Sequence, residues 1–272
     1  MKRIPFSLKM SAKVSFSIIA STSIVMSLLG YAISDINKSL QWWKWAIILG
    51  CCFLVLTACV YLIFRSQRLK PYKTRINGVP ITMKVGDLFD EEGWKVIPCN
   101  EYFDTDVDDI VIAHSTLNGE LIDRHIRDIE ALKKVIELAS GDDSQFKGIN
   151  DNGRMKYPLG RIIPYGNYLL LAFSHFGNQK NAYLGIGEYE QLLFRMWSEL
   201  RRVYAAKRIS IPLLGTGITS IEGLDNKNYT AILRCILCTF HNSNFQPAQG
   251  ITIVMTSDAM RQIDMDIIKE EF

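Results

Sequence analysis

Cysteine and histidine are scarce in this sequence, with six and four among 272 residues. Three of the cysteines, at positions 51, 52 and 59, lie within an apolar stretch, and Cys235 and Cys238 form a single C-x-x-C motif. A structural zinc site needs four such ligands, and no second pair or His-x-His element lies nearby. We therefore predict no metal site and no bound cofactor, and we interpret the C-x-x-C motif as core packing.

Charged residues are absent from 14–33 and from 45–64. Each is an apolar stretch of about 20 residues, which is long enough to cross a bilayer as a helix. The lack of charged residues in both stretches argues against a transporter or a proton relay. Basic residues precede the first stretch and follow the second, so the positive-inside rule predicts a multi-pass cell-membrane protein with both termini in the cytoplasm.

These features divide the chain into three parts. We predict an N-terminal stub with a two-helix transmembrane hairpin over 1–68, a basic linker over 69–80 and a water-soluble domain over 81–272. Ser17 and Ser21 lie four residues apart in the first stretch, as do Ser23 and Ser27, a spacing that allows helices to approach closely. This favours either packing of the two helices of one chain or assembly of several chains. The net charge of +3 does not indicate a nucleic-acid surface.

Strand-like and helix-like patterns alternate after residue 81, which is typical of an α/β domain. We predict strands over Ile81–Lys84, Trp94–Pro98, Ile110–Ala113, Gly160–Phe176, Arg208–Leu214 and Gly250–Thr256. We predict helices over Leu121–Ala139, Glu188–Ala206, Tyr229–Asn242 and Ala259–Glu270. The polar segment Ser140–Arg154 is predicted to be a loop.

A glycine loop follows the buried strand predicted over Arg208–Leu214. It contains Gly215, Thr216, Gly217 and Ile218, and its two glycines allow successive backbone N–H groups to converge on an anion. The loop lacks the G-K-S/T of a Walker motif and the full G-x-G-x-x-G of a dinucleotide turn. Taken alone, it favours an ordinary tight turn over an anion-binding loop.

Three further segments accompany this loop: Val85–Phe89 with a Gly-Asp pair, Val96–Glu101 with Asn100, and Phe103–Thr105. Together with Gly215–Gly217 they resemble a macro domain. The resemblance implies a three-layer α/β/α fold with a mixed sheet and an ADP-ribose-type ligand. It also implies that Asp87 faces adenine, that Asn100 lies near the distal ribose, and that Gly215, Thr216, Gly217 and Ile218 hold the diphosphate. It further implies ligand contacts for Thr105, Ser115, Leu117 and Gly119.

The first loop departs from the pattern of hydrolytic macro domains, because residues 113–120 contain one glycine instead of several. A bulkier loop makes the positioning of a hydrolytic water doubtful, so we expect ligand binding without turnover and no catalytic residue. His114 and Ser115 are candidates for a base and a nucleophile. Neighbouring strand residues point to opposite faces, however, and no acid is expected to orient the histidine.

The whole chain, with Tyr157–Gly160 and the P-L-L-G-T-G run, resembles the macro-domain effectors of Thoeris anti-phage systems. The resemblance implies a partner TIR-domain enzyme that consumes NAD and makes an ADP-ribose derivative, reported as a histidine conjugate in this branch. It implies an effector that senses this nucleotide, forms a homo-oligomer and disrupts the lipid of the bacterial inner membrane, causing abortive infection.

Two other functions stay open at this point. A membrane-tethered ADP-ribosyl hydrolase or phosphatase would use the same nucleotide pocket for turnover. A constitutive scaffold would use the Gly215 loop only as a turn and would have no affinity for nucleotides.

Overall fold

The structure is a computed structural model that describes residues 13–20, 23, 51, 53–60, 62, 69–139, 149–151, 153–176, 182–225 and 227–272. The chain forms two compact units, Met1–Lys70 and Pro71–Phe272. In the first unit, 13–20 and 53–60 are helical.

The two predicted membrane spans, 14–33 and 45–64, lie largely outside the described residues. Within the part of the chain that the structure describes, no helix is long and apolar enough to cross a bilayer. The predicted localisation as a multi-pass inner-membrane protein is therefore wrong, whereas the predicted membrane disruption stays a prediction.

The second unit is built from eleven described strands and six described helices. The strands are β1 Tyr72–Ile76, β2 Val79–Val85, β3 Trp94–Asn100, β4 Ile149–Asp151, β5 Arg154–Lys156, β6 Ile162–Tyr165, β7 Tyr168–Phe176, β8 Ala182–Gly185, β9 Ile209–Pro212, β10 Ser220–Glu222 and β11 Ile251–Met255. The helices are α1 Leu117–Glu120, α2 Ile129–Ala139, α3 Ile186–Val203, α4 Tyr229–His241, α5 Ser257–Gln262 and α6 Met265–Glu271, and a π-helical turn covers Leu121–His125.

The main sheet has the order β1-β2-β11-β9-β3-β7-β8-β10, and β6 pairs with β7. Its central strands β2, β11, β9, β3 and β7 are all parallel. The strand β1 is antiparallel to β2, and β6 and β8 are antiparallel to β7, whereas β10 is parallel to β8. The predicted mixed sheet is confirmed. Since the central strands run in one direction, their carboxyl ends share one edge of the sheet, where α/β folds bind ligands.

Helices cover both faces of this sheet, as the buried run of β7 shows. Leu170 and Ala172 pack in the same cluster as Leu132 of α2. Phe173, one residue further on, makes an edge-to-face contact with Tyr189 of α3 at a centroid distance of 6.1 Å. Because successive strand residues point to opposite faces, α2 and α3 lie on opposite sides of the sheet. The predicted layering of helices around a central sheet is thus confirmed.

Two predicted strands differ from the structure. The predicted strand Gly160–Phe176 is the hairpin β6–β7, because Gly166 has a φ of +59° and turns the chain between the paired residues Tyr165 and Tyr168. The predicted strand Ile110–Ala113 is an irregular loop, because Asp108 Oδ1 accepts bonds from the N–H groups of Ile110 and Val111 that a strand ladder would use.

Two predicted helices are interrupted. The segment Leu121–Ala139 breaks at Ile126, whose ψ of 116° is extended, before α2 begins. The segment Ala259–Glu270 divides into α5 and α6 at Ile263, where ψ is 129°, and Asp264 caps the second helix. The predicted linker, 69–80, contributes the strand β1 to the sheet.

Candidate functional site

The carboxyl edge of the sheet brings together the loops that carry the predicted ligand contacts. After β2, the N–H of Gly86 donates to the Met255 carbonyl at 3.3 Å, and after β9 the N–H of Leu213 donates to the Val254 carbonyl at 3.0 Å. Asp87 follows β2 and Asn100 ends β3, which belong to the same parallel group with β11 and β9 between them. All three predicted contact regions therefore lie at one edge, in the order β2, β11, β9, β3.

The glycine loop is anchored firmly in its first half. Gly215 has a φ of +94°, and a Cβ added there would lie 2.7 Å from Ile221 Cδ1. The buried hydroxyl of Tyr189 donates to the Leu214 carbonyl at 2.8 Å, and Thr216 Oγ1 donates to the Leu213 carbonyl at 2.8 Å. Gly215 is thus required by the turn and by close packing.

The second half of the same loop is open. A Cβ added at Gly217 would meet no heavy atom of the described residues within 4 Å, and Ile218 is 65% exposed. Backbone N–H groups in such a glycine loop can approach an anion without interference from side chains. The open space beside Gly217 is where a phosphate group can reach the loop.

Asp87 lies at the far end of this edge and is exposed. Its Oδ1 accepts a hydrogen bond from the N–H of Phe89 at 2.9 Å, which closes a tight turn after β2. Phe89 in turn stacks on His125 at a centroid distance of 4.3 Å. The other carboxylate oxygen has no bond to the described residues, so it can accept from an exocyclic amine.

Asn100 is less accessible than an exposed ligand contact would be. Its side chain is buried, and its Oδ1 accepts from the N–H groups of Tyr102 and Asp104 at 3.1 and 3.2 Å. Its Nδ2 donates to Asp104 Oδ2 at 2.9 Å. Asn100 therefore shapes the turn that leads to the half-buried Thr105, and its predicted ribose contact stays a prediction.

The hairpin β4–β5 contacts the turn that follows β3. Arg154 pairs with Asp104 and lies over the ring of Tyr102 at 4.1 Å, and Lys156 Nζ lies 3.3 Å from Glu101 Oε2. The two basic residues alternate along β5 and engage both ends of the turn. The sequence predicted only a loop over Ser140–Arg154, and it gave no signal for the pairing of Arg154 with Asp104, since these residues are far apart in the chain.

The first loop, 113–120, is largely satisfied by its own atoms. Thr116 Oγ1 accepts from the N–H of Gly119 at 3.0 Å and donates to the Ala113 carbonyl at 2.7 Å. A Cβ added at Gly119 would lie 2.3 Å from that same carbonyl oxygen, and Leu117 packs against the core cluster. Ser115 is exposed. Gly119 and Leu117 thus have a role in internal packing, whereas the exposed Ser115 can contact a ligand.

His114 has an acidic partner that the sequence analysis did not find. Its Nδ1 lies 2.6 Å from Asp123 Oδ2, on the π-helical turn, and this hydrogen bond raises the pKa of His114 above its ordinary value of 6.5. The nearby charges of Asp109 and Asp108 act in the same direction. The expectation that no acid orients this histidine was wrong, because the π-helical turn brings Asp123 back to the loop.

Of the two cysteines of α4, Cys235 is half-buried and Cys238 is exposed, so the interpretation of the pair as core packing is wrong for Cys238. Burial raises the pKa of the Cys235 thiol to about 12, and burial also raises the pKa of Cys238. A thiol with a raised pKa is a poor nucleophile and a poor metal ligand at neutral pH.

Comparisons with known proteins give the following similarities. The family model described as the macro domain of Thoeris protein ThsA matches residues 81–256. The Thoeris protein ThsA of Bacillus amyloliquefaciens (strain Y2) is 34% identical over 208 residues, which cover 72% of this chain and 68% of that protein. A mutant of the Oceanobacillus iheyensis macrodomain with ADPR is 18% identical, with a TM-score of 0.47 over 74% of this chain and 100% of that chain. The same macrodomain with ADP is 16% identical, with a TM-score of 0.47 over 75% of this chain and 98% of that chain.

Proposed function

The chain belongs to the macro-domain family of the Thoeris protein ThsA, and from that membership we propose that it senses an ADP-ribose-derived signal nucleotide during anti-phage defence. A TIR-domain enzyme that consumes NAD supplies the signal, and histidine-linked ADP-ribose is the leading candidate. The ligand binds at the carboxyl edge of the sheet in the unit Pro71–Phe272.

The open second half of the glycine loop is the observation that carries this proposal. Gly217 leaves space for a phosphate, while Tyr189 and Thr216 hold the preceding backbone in a fixed conformation. A preorganised loop loses little conformational freedom on binding, so its N–H groups can hold a diphosphate without a lysine.

The other proposed ligand contacts lie on both sides of the glycine loop, in the order of the strands that carry them. Asp87 accepts from the adenine amino group, and Ser115 and Thr105 contact the ribose at the other end. Asn100 acts mainly by shaping the turn after β3, since its amide already makes three bonds there. Leu117 and Gly119 support the first loop from beneath.

The response to the ligand is a change of assembly state. A ligand shifts an equilibrium only by its differential affinity for the two states, and a shift from about 1:99 to 99:1 requires roughly 5.5 kcal/mol. Sharing that free energy among the chains of a homo-oligomer lowers the preference that each chain must supply, so assembly should be cooperative.

Hydrolysis of an ADP-ribosyl group is the second candidate function, and the His114–Asp123 pair favours it. An oriented histidine next to an exposed serine is an arrangement that can activate a nucleophile or a water. We nevertheless propose binding without turnover, because the pair is exposed to solvent and the first loop carries a single glycine.

Thermal unfolding of the full chain with NAD, ADP-ribose and histidine-linked ADP-ribose tests the proposal, with mass analysis of each nucleotide afterwards. A ligand at about 100 times its Kd adds roughly 2.7 kcal/mol, which should raise the unfolding midpoint by about 5 to 10 °C. A shift with intact nucleotide supports a sensor. A shift with turnover supports the hydrolase, and the absence of any shift contradicts both.

A further inference from the structure

A cavity of about 340 Å³ lies beside the ends of β3 and β7 and the first turns of α3. None of the predicted nucleotide contacts lines it. Its walls include the apolar side chains of Pro158, Leu159 and Ile149, and its polar groups are both acidic and basic.

The two acidic side chains of this cavity, Glu101 and Glu188, accept hydrogen bonds from neighbouring groups. Glu101 is buried, and its Oε2 lies 2.6 Å from His175 Nδ1. The second ring nitrogen of His175 lies 3.2 Å from Glu188 Oε1, and the N–H of Gly185 donates to Glu188 Oε2 at 3.0 Å. The hydrogen bond with Glu101 raises the pKa of His175. Because both ring nitrogens face carboxylate oxygens, only the protonated ring donates to both.

The basic groups, by contrast, retain donors that can reach a ligand. Lys156 has three donors, and Glu101 is its partner among the described residues. Arg195 has five donors, and within the same described part of the chain its one bond is a long one, 3.4 Å from Nη1 to the Leu159 carbonyl. With His175 protonated, the cavity carries three positive and two negative side chains.

We propose that this cavity is a binding site for a small organic anion, whose charged group pairs with Arg195 and Lys156 and whose apolar part packs on Pro158 and Leu159. The guanidinium fork of Arg195 can bind either a carboxylate or a phosphate through two donors. The two pairing residues approach the cavity from different elements, α3 and β5. A bound anion therefore links the long helix to the hairpin that holds the Asn100 turn.

Isothermal titration of the full chain with benzoate, phenyl phosphate and benzamide tests this site. Benzoate and phenyl phosphate share an apolar ring and distinguish a carboxylate from a phosphate, and benzamide matches benzoate in shape without its charge. For ligands of this size we expect a Kd in the roughly millimolar range for at least one anion. We expect at least about tenfold weaker binding for benzamide, because the charge-assisted bonds are lost.

Variants of two arginines on α3 locate the binding. Arg195→Gln keeps an amide donor but removes the positive charge, and it should weaken anion binding by at least about tenfold. Arg201→Gln removes a similar charge from the same helix away from the cavity, and it should leave the affinity unchanged. Thermal unfolding of both variants checks that they are folded. Three results would overturn the proposal. The first is that benzoate and benzamide bind equally well and phenyl phosphate does not bind. The second is that the two variants bind the anion with equal affinity, and the third is that neither anion binds to the folded wild type.

Discussion

The first loop, 113–120, and the glycine loop, 215–218, both belong to the proposed nucleotide site, but their glycines have different roles. In the first loop, Gly119 is enclosed, because a Cβ there would overlap the Ala113 carbonyl. In the second loop, a Cβ added at Gly217 would meet no heavy atom of the described residues within 4 Å. Glycine thus serves internal packing in one loop and access to the backbone in the other, so the first loop is expected to set the shape of the site and the second to bind the diphosphate.

The largest effect should come from closing the space at Gly119. Gly119→Ala places a methyl group 2.3 Å from the Ala113 carbonyl oxygen, so either the loop or α1 must move. We expect a loss of about 3 kcal/mol in the free energy of unfolding, which lowers the unfolding midpoint by roughly 10 °C. Gly217→Ala is the matched control and should change stability by less than about 0.5 kcal/mol. Equal effects in the two variants would remove the contrast between the loops.

A charge at Gly217 should affect binding instead of folding. Gly217→Glu introduces bulk and negative charge into open space, so we expect at least about a 100-fold loss of nucleotide affinity with an unchanged unfolding midpoint. In cells that also express a TIR-domain enzyme making the proposed signal, the same variant should abolish signal-dependent toxicity at equal expression. Toxicity that persists at equal expression contradicts the assignment of this loop.

A smaller effect should follow from loosening the anchor of the second loop. Tyr189→Phe removes the hydroxyl that donates to the Leu214 carbonyl and leaves that buried acceptor without its partner. We expect a loss of about 1 to 2 kcal/mol in stability, measured by denaturant unfolding, and a several-fold loss of nucleotide affinity. A loss of stability without any change in affinity would show that the loop does not need this anchor for binding.

The smallest effect concerns the charge state of the first loop. The folded-state pKa of His114 is raised by Asp123, so the pair stabilises the fold fully below pH about 6.5 and loses that contribution as pH rises through the folded pKa. Asp123→Asn should lower the pKa of His114 towards 6.5, as followed by NMR titration of the ring protons. Turnover of ADP-ribose that disappears in this variant would favour the hydrolase, whereas no turnover in either protein agrees with a sensor.

The parts of this fold that the sequence predicted are those specified by local pattern. The buried strand β9 and the glycine loop after it are adjacent in sequence, so their connection could be read directly. The pairing of Arg154 with Asp104 and the return of Asp123 to His114 depend on a hairpin and a π-helical turn, which have no comparable local signature. The edge strand β1 was missed because the exposed Lys73 and Arg75 alternate with its more buried residues in what looked like a basic linker.

The most direct test of the central claim is the affinity of the full chain for ADP-ribose, measured by isothermal titration for the wild type, Gly217→Glu and Gly187→Glu. Gly187 is also an open glycine, but it lies in the first turn of α3 and outside the glycine loop. The account predicts that the wild type and Gly187→Glu bind with similar affinity and that Gly217→Glu does not bind. Equal binding by all three proteins would contradict it.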